Sequence, residues 1–233
     1  MMILRVEGFK KHFFIHHLNK KIAAVNEVDF TVEKGEFIGI VGKSGSGKST
    51  ILKSIYRSYL PDEGVIVYDS DFFGAIDLCQ ATEREMVYLR KHEIGYVSQF
   101  LNVMPRITAR QLVENALLEI GVDKVTAKRR AAEALHHFDL NESLWDTYPN
   151  TFSGGEKLRL NIAIATVKKP RLLLLDEPTA SLDDHSKIKV REMIQKLKED
   201  DTTLIGIFHD LQFMDGLCDK VYTMEVKEKV SVE

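Results

Sequence analysis

Apolar positions recur along the chain with two periods, about 2 and about 3.6, and their alternation predicts the order of elements. Residues 2–9 and 22–32 read as strands, the second closing on the alternating Val28-Asp29-Phe30-Thr31-Val32. Between them lies Lys10-Lys11-His12-Phe13-Phe14-Ile15-His16-His17, a mixture of bases and aromatics. Glu33-Lys34-Gly35-Glu36 predicts a tight turn into Phe37-Ile38-Gly39-Ile40-Val41, a short apolar run suited to a buried strand. Helical spacing follows over Ser49–Tyr56. Pro61-Asp62-Glu63-Gly64 is a turn signal before the strand-like Val65-Ile66-Val67-Tyr68. Residues 70–92 read as a loop and then a helix over 83–91, and Ile94-Gly95-Tyr96-Val97-Ser98-Gln99 returns to a strand.

From Thr108 to about Phe138 the pattern is helical, opened by a capping box of Thr108 with Gln111 and interrupted near Gly121. A further helix begins near Ser153. Arg171-Leu172-Leu173-Leu174-Leu175-Asp176 is the near-continuous apolar run of a parallel strand buried on both faces. Residues 184–199 then read as a helix, 202–208 as a buried strand and 219–226 as a last short one. Strands alternating with helices imply an α/β fold with a mostly parallel sheet and a ligand at the strands' carboxyl edge. The helix-only stretch breaks that alternation. It predicts one domain over 1–233, with an α/β core at 1–100 and 169–233 and an inserted helical subdomain at 101–168.

Composition narrows the class only a little. The chain has 233 residues, 44% hydrophobic and 29% charged, enough apolar surface for a sizeable core. A net charge of −3 gives no reason to expect a nucleic-acid surface. Cys79 and Cys218 have no C-x-x-C partner, which suits reduced thiols in a cytoplasmic protein. No apolar run approaches the roughly 18 residues of a membrane span. The opening Met1-Met2-Ile3-Leu4-Arg5-Val6-Glu7 lacks the cationic-then-apolar pattern of a secretory signal. Work at the inner membrane would then be peripheral, through partners that supply the spans.

The chemistry centres on Gly42-Lys43-Ser44-Gly45-Ser46-Gly47-Lys48-Ser49, followed by Thr50. It fits G-x-x-x-x-G-K-[ST], the loop between a strand and a helix that cradles nucleotide phosphates. Its glycines let successive N–H groups converge on one anion, and the following helix adds unsatisfied N–H groups and a positive dipole end. Lys48 is expected to reach the β- and γ-phosphates and Ser49 to place its hydroxyl on Mg²⁺. Asp176, at the end of the leucine strand, is the expected second Mg²⁺-holding group, acting through water, and Glu177 the general base for an attacking water. Gln99 ends its strand where metal or water could be sensed, and His209 ends another, although either residue alone would pass for a surface or structural side chain. Ser153-Gly154-Gly155-Glu156 reads both as a capping box and as a second anion site at a helix N-terminus. Two phosphate sites on one small chain suggest that one serves a nucleotide bound mainly by another subunit. The adjacent pairs His16-His17 and His136-His137 are poor metal candidates, because neighbours on a helix point apart.

In this order these elements resemble the nucleotide-binding domain of ATP-binding-cassette (ABC) proteins. The resemblance identifies 42–49 as the Walker A motif, Gln99 with the Q-loop and Ser153-Gly154-Gly155-Glu156 with the signature motif. Residues 172–177 match Walker B, Ser181-Leu182-Asp183 the D-loop and His209 the switch histidine. It implies a P-loop NTPase fold with an antiparallel β edge. It also implies MgATP held between one Walker A and the signature serine and glycines of a second ABC domain, in a homo- or heterodimer. The same resemblance puts an aromatic ring on the adenine; Phe13 fits by position, with Phe14 as its rival. Two departures stand out. The signature reads Phe152-Ser153-Gly154-Gly155-Glu156, where the family often has Leu-Ser-Gly-Gly-Gln, and Ala163-Ile164-Ala165 replaces a usual Ala-Arg-Ala, while Arg159 is present.

The wording of 54–64, 97–107 and 206–210 is similar to the ABC group of the bacterial carbon–phosphorus lyase system, whose partners would be soluble lyase subunits. That group lies near lipoprotein-release and macrolide-export ATPases, which implies the alternative of a membrane-spanning permease as partner. A GTPase would need an N-K-x-D segment, which Asn19-Lys20-Lys21-Ile22 does not supply. A nucleotide-gated assembly factor that never turns ATP over would not need both Glu177 and His209.

Overall fold

The computed structural model describes residues 1–15, 19–101, 106–180 and 182–224. His16, His17, Asn102–Pro105, Ser181 and the last two residues of the expected 219–226 strand lie outside the described residues. Five parallel strands form the centre: β4 (Phe37–Gly42), β7 (Ile94–Val97), β8 (Leu172–Asp176), β9 (Thr203–Ile207) and β10 (Lys220–Met224). Their spatial order is β10-β4-β9-β8-β7. Because all run the same way, the ends that carry Gly42, Val97, Asp176 and Ile207 gather at one edge. The register makes this concrete: Val97 pairs with Leu175, and Asp176 with Ile207.

The four leucines of β8 follow from burial on two sides. Leu173 and Leu175 pack with Phe37, Val97 and Leu204 against the helices, while Leu172 and Leu174 join Ile38, Ile40, Ile205 and Ile207 in a second core. That second core lies beneath an antiparallel sheet of β1 (Met2–Ile15), β2 (Lys20–Asn26), β3 (Phe30–Glu33), β5 (Glu63–Ser70) and β6 (Gly74–Asp77).

Three expectations are corrected here. The strand read over 2–9 continues to Ile15, so the basic and aromatic stretch is its second half, paired with β2 after a register shift at Lys11/His12. The strand read over 22–32 is two, broken at Glu27, whose φ of 87° no regular strand accepts. The loop expected after residue 70 contains β6, an edge strand of four residues too short to show a period.

Helices α1 (Lys48–Ile55), α2 (Glu83–His92) and α6 (Asp184–Glu199) fall where their spacing predicts. Between β7 and β8 the described residues form only helical elements: α3 (Ala109–Glu119), α4 (Lys124–His137), two 3-10 turns and α5 (Gly154–Thr166). Thr108 caps α3 with the expected box. Trp145 is buried before α5 with its indole N–H donating to the Leu140 carbonyl at 2.8 Å. The last helix, α7 (Leu211–Met214), is a single turn. One polar knot joins the two sheets. Buried Glu93 accepts from Ser70 Oγ at 2.8 Å and faces Arg171, which also pairs with Asp71 at 2.9 Å.

Candidate functional site

The loop from β4 to α1 is shaped by what its neighbours allow. Gly47 is the N-cap of α1 at φ 93°, and a Cβ there would stand 2.3 Å from the Ala24 carbonyl oxygen. No side chain caps α1, which leaves its first-turn N–H groups available to an anion. Lys43, Ser44 and Gly45 are exposed, and Thr50 sits in the first turn of the helix. Lys48 is only 4% exposed, and its ammonium folds back to donate to the carbonyls of Gly42 (2.8 Å) and Lys43 (3.1 Å). Burial pulls its pKa below the usual lysine value, against the opposing charge of Glu177. Three N–H donors with two engaged leave one for a ligand. Ser46 Oγ is buried without a partner. A buried cation, open N–H groups and an orphaned hydroxyl form a donor set that suits phosphate.

Across the loop, Asp176 is 5% exposed and both carboxylate oxygens are engaged. Ser49 Oγ donates to Oδ1 at 2.8 Å and the Tyr96 hydroxyl to Oδ2 at 2.6 Å. Burial and the adjoining carboxylate both raise the Tyr96 pKa, so the phenol stays protonated. A hydroxyl and a carboxylate side by side are the hard oxygen donors that Mg²⁺ takes. The next residue, Glu177, is held at φ 53°, and His209 Nε2 lies 2.8 Å from its Oε1. Beside them Lys187 pairs with Asp210 at 3.2 Å, joining α6 to the segment after His209. Lys48, Ser49, Asp176, Glu177 and His209 are therefore brought to one edge.

Gln99 is placed apart from the metal-type ligands. It is exposed just past β7 and lines a groove of about 810 Å³ with Phe100, Leu101, Asn161 and Glu177. Among the described residues no hydrogen bond joins it to Ser49 or Asp176. On β1, Phe13 is half-buried, edge-on to Tyr59 with ring centroids 5.2 Å apart and Lys11 Nζ 5.5 Å from its ring. Phe14, on the other face of the strand, is 49% exposed.

The second helix terminus is built as expected. Ser153 caps α5: its Oγ accepts from the Glu156 N–H, while the Ser153 N–H and Oγ donate to Glu156 Oε2 at 2.7 and 2.8 Å. The Ser153 N–H holds the Glu156 carboxyl below the usual range, against partial burial. Gly154 is exposed, whereas Gly155 is buried, and a Cβ there would meet Ser186 Oγ of α6 at 2.8 Å. A side chain at the second glycine would therefore have to displace the Ser186 hydroxyl. Asp183 caps α6. Among the described residues no hydrogen bond joins 153–156 to the loop at 42–50.

Two polar residues in this region escaped the sequence reading. Asn161, 8% exposed on α5, donates from Nδ2 to the Ser98 carbonyl at 3.0 Å and so ties α5 to the segment before Gln99. Its signal was an asparagine between Leu160 and Ile162, a poor helix former on an otherwise apolar helix. Tyr96 gave no signal, because strand periodicity does not say which carboxylate a hydroxyl will meet.

Comparisons with known proteins agree on one family. The family described as "ABC transporter" matches residues 25–180. An uncharacterized ABC transporter ATP-binding protein of Thermotoga maritima is 35% identical over 199 residues, 85% of this chain and 82% of that one. The methionine import ATP-binding protein MetN of Corynebacterium diphtheriae is 35% identical over 228 residues. Those residues make up 97% of this chain and 64% of that protein. The macrolide export ATP-binding/permease protein MacB of Campylobacter jejuni is 33% identical over 84% of this chain, which spans only 30% of that protein. Among solved structures, the ATP-binding cassette MJ0796, described as a dimer in a post-hydrolysis state bound to ADP and Pi, superimposes with a TM-score of 0.87. It has 28% identity and covers 99% of each chain.

The Glu156 cap has a pH signature. Its pKa is depressed in the folded state, so its stabilisation is complete above the ordinary value of 4.5 and is lost as pH falls through the folded value. Glu156→Gln keeps an acceptor for the Ser153 N–H without a titrating group. Denaturation midpoints of this variant, followed from pH 6 down to about 3, should fall less steeply than those of the parent. Parallel curves would show that the cap does not titrate.

Proposed function

The chain belongs to the ABC transporter family of ATP-binding proteins, and from that premise we propose that it is a magnesium-dependent ATPase working as a pair of cassettes. One observation carries the reading. Lys48, Ser49, Asp176, Glu177 and His209 meet at one sheet edge, while among the described residues the Ser153-capped N-terminus of α5 makes no hydrogen bond to them. A second cassette offering its own Ser153, Gly154 and Gly155 completes a pocket that one chain leaves half-built. The dimeric form of MJ0796 supports this arrangement.

When bound, MgATP supplies the phosphoanhydride bond and a metal that offsets phosphate charge. Lys48 and the loop N–H groups bind the phosphates, and Ser49 and Asp176 hold the metal. Glu177 accepts a proton from the attacking water, giving ADP and phosphate. His209, 2.8 Å from Glu177, orients that carboxylate. Gln99 senses the occupied site from the groove that it shares with Glu177. Phe13 offers its ring to the adenine, with Phe14 the alternative.

The cycle drives a partner complex, which we read as the carbon–phosphorus lyase system, the chain being its PhnL-type subunit. Supporting this are the wording of 54–64, 97–107 and 206–210 and the position of Gln99, Phe100 and Leu101 in a groove of about 810 Å³, with Phe100 64% exposed. Asn102–Pro105 of that wording lie outside the described residues. A second reading, the energy-coupling subunit of a membrane transporter, is favoured by the import and export proteins among the relatives. Among the described residues no helix is long and apolar enough to cross a membrane.

Three outcomes are expected. Lys48→Ala should weaken ATP binding about tenfold to hundredfold by calorimetry, the scale of a lost hydrogen bond to a charged group. Glu177→Gln should bind ATP like the parent, lose about 10²- to 10⁴-fold in turnover, and accumulate an ATP-bound dimer on gel filtration. Parental turnover would remove Glu177 as the base. Finally, the Glu177→Gln protein trapped with ATP should recover soluble lyase subunits from cell extract; recovery of membrane-spanning chains alone would decide for the transporter.

A further inference from the structure

Asp176 is held from two sides, and only one of its partners belongs to the phosphate loop. Ser49 Oγ donates to Oδ1, whereas Oδ2 receives the hydroxyl of Tyr96 from the neighbouring strand β7, at 2.6 Å. That distance lies in the range of about 2.5–2.7 Å typical of a hydroxyl bonded to a carboxylate. Tyr96 is itself fixed. Its ring packs against Tyr56 just after α1, with centroids 4.9 Å apart. Tyr56 in turn lies under the Arg90 guanidinium of α2, 5.0 Å from the ring. Arg90 is pinned by donating to the Tyr56 carbonyl at 3.0 Å and to the Arg57 carbonyl at 3.1 Å. A continuous line of contacts therefore runs from α2 through two stacked tyrosines to one oxygen of the buried carboxylate.

We propose that Tyr96 is a positioning residue for the metal site, its hydroxyl locking the Asp176 carboxylate in the rotation that presents it to Mg²⁺ beside Ser49. This rests on the assignment of Ser49 and Asp176 as metal-holding groups. A buried carboxylate bonded on one oxygen only can turn about its Cβ–Cγ bond, and such turning would weaken its hold on a metal or on the water through which it holds one. Loss of a donor of this kind behind a metal-holding group typically weakens metal affinity about 10- to 100-fold. The phenol also fills one lone-pair direction of Asp176, which leaves the remaining directions to the metal and its waters.

Tyr96→Phe tests the hydroxyl while keeping the ring on Tyr56. The probe is Mn²⁺ titrated by electron paramagnetic resonance into protein saturated with ADP. The variant should bind Mn²⁺ on the order of tenfold more weakly, while ADP affinity in EDTA remains that of the parent. ATP turnover should recover at high Mg²⁺. A Mn²⁺ titration superimposable on the parent's would overturn the proposal. So would weakened binding in Tyr96→Leu with parental binding in Tyr96→Phe, which would assign the effect to ring packing. If the parent itself binds no Mn²⁺ in the presence of ADP, the metal-site assignment fails, and the tyrosine proposal with it.

Discussion

A carboxylate buried at the end of an apolar strand is the constraint on which this structure turns. Asp176 is 5% exposed and follows four leucines that are fully buried. Charge in such a place is costly unless it is hydrogen-bonded or bound to a cation. Ser49 and Tyr96 supply neutral donors from two different elements, so α1, β7 and β8 must come to the same point. The parallel register provides this: β7, β8 and β9 end together, and the residues just past their ends face one another.

The same edge explains the division of labour along the chain. The candidate site residues sit at strand ends or first helical turns, where the backbone is fixed and helix N-termini leave N–H groups unpaired. The antiparallel sheet and α2 lie behind this edge and hold it by packing and by the Glu93–Arg171 knot. The helical elements between β7 and β8 carry the second open N-terminus. Asn161 connects them back to the segment before Gln99 through its hydrogen bond to the Ser98 carbonyl.

Much of this was legible because it is local. The phosphate loop, the Thr108 and Ser153 capping boxes and the buried leucine strand are each decided by interactions within a few residues. Where the sequence misled, the deciding partner was distant or the period too short. Strand β1 runs on through Lys10–Ile15 because β2 pairs with it, although its alternation is blurred by bases and rings. Four residues of β6 cannot display a period, and only β5 defines them as a strand. At Gly155 the sequence did not show the close approach of Ser186 of α6, whose Oγ would stand 2.8 Å from an added Cβ.

From its residues alone the chain determined the chemistry available: an anion loop, a buried acid, an adjoining base, a histidine and a second helix terminus. The tertiary structure decided which of these meet. Ser49 lies 127 positions from Asp176 and Tyr96 lies 80, and no local pattern encodes such pairs. Sheet order sets them, because it chooses the strand next to β8 and therefore the side chain that reaches the buried carboxylate. Among the described residues it also leaves the Ser153-capped terminus of α5 without a hydrogen bond to the loop at 42–50, because the helix lies in a separate part of the chain's packing, beside Ser186 of α6.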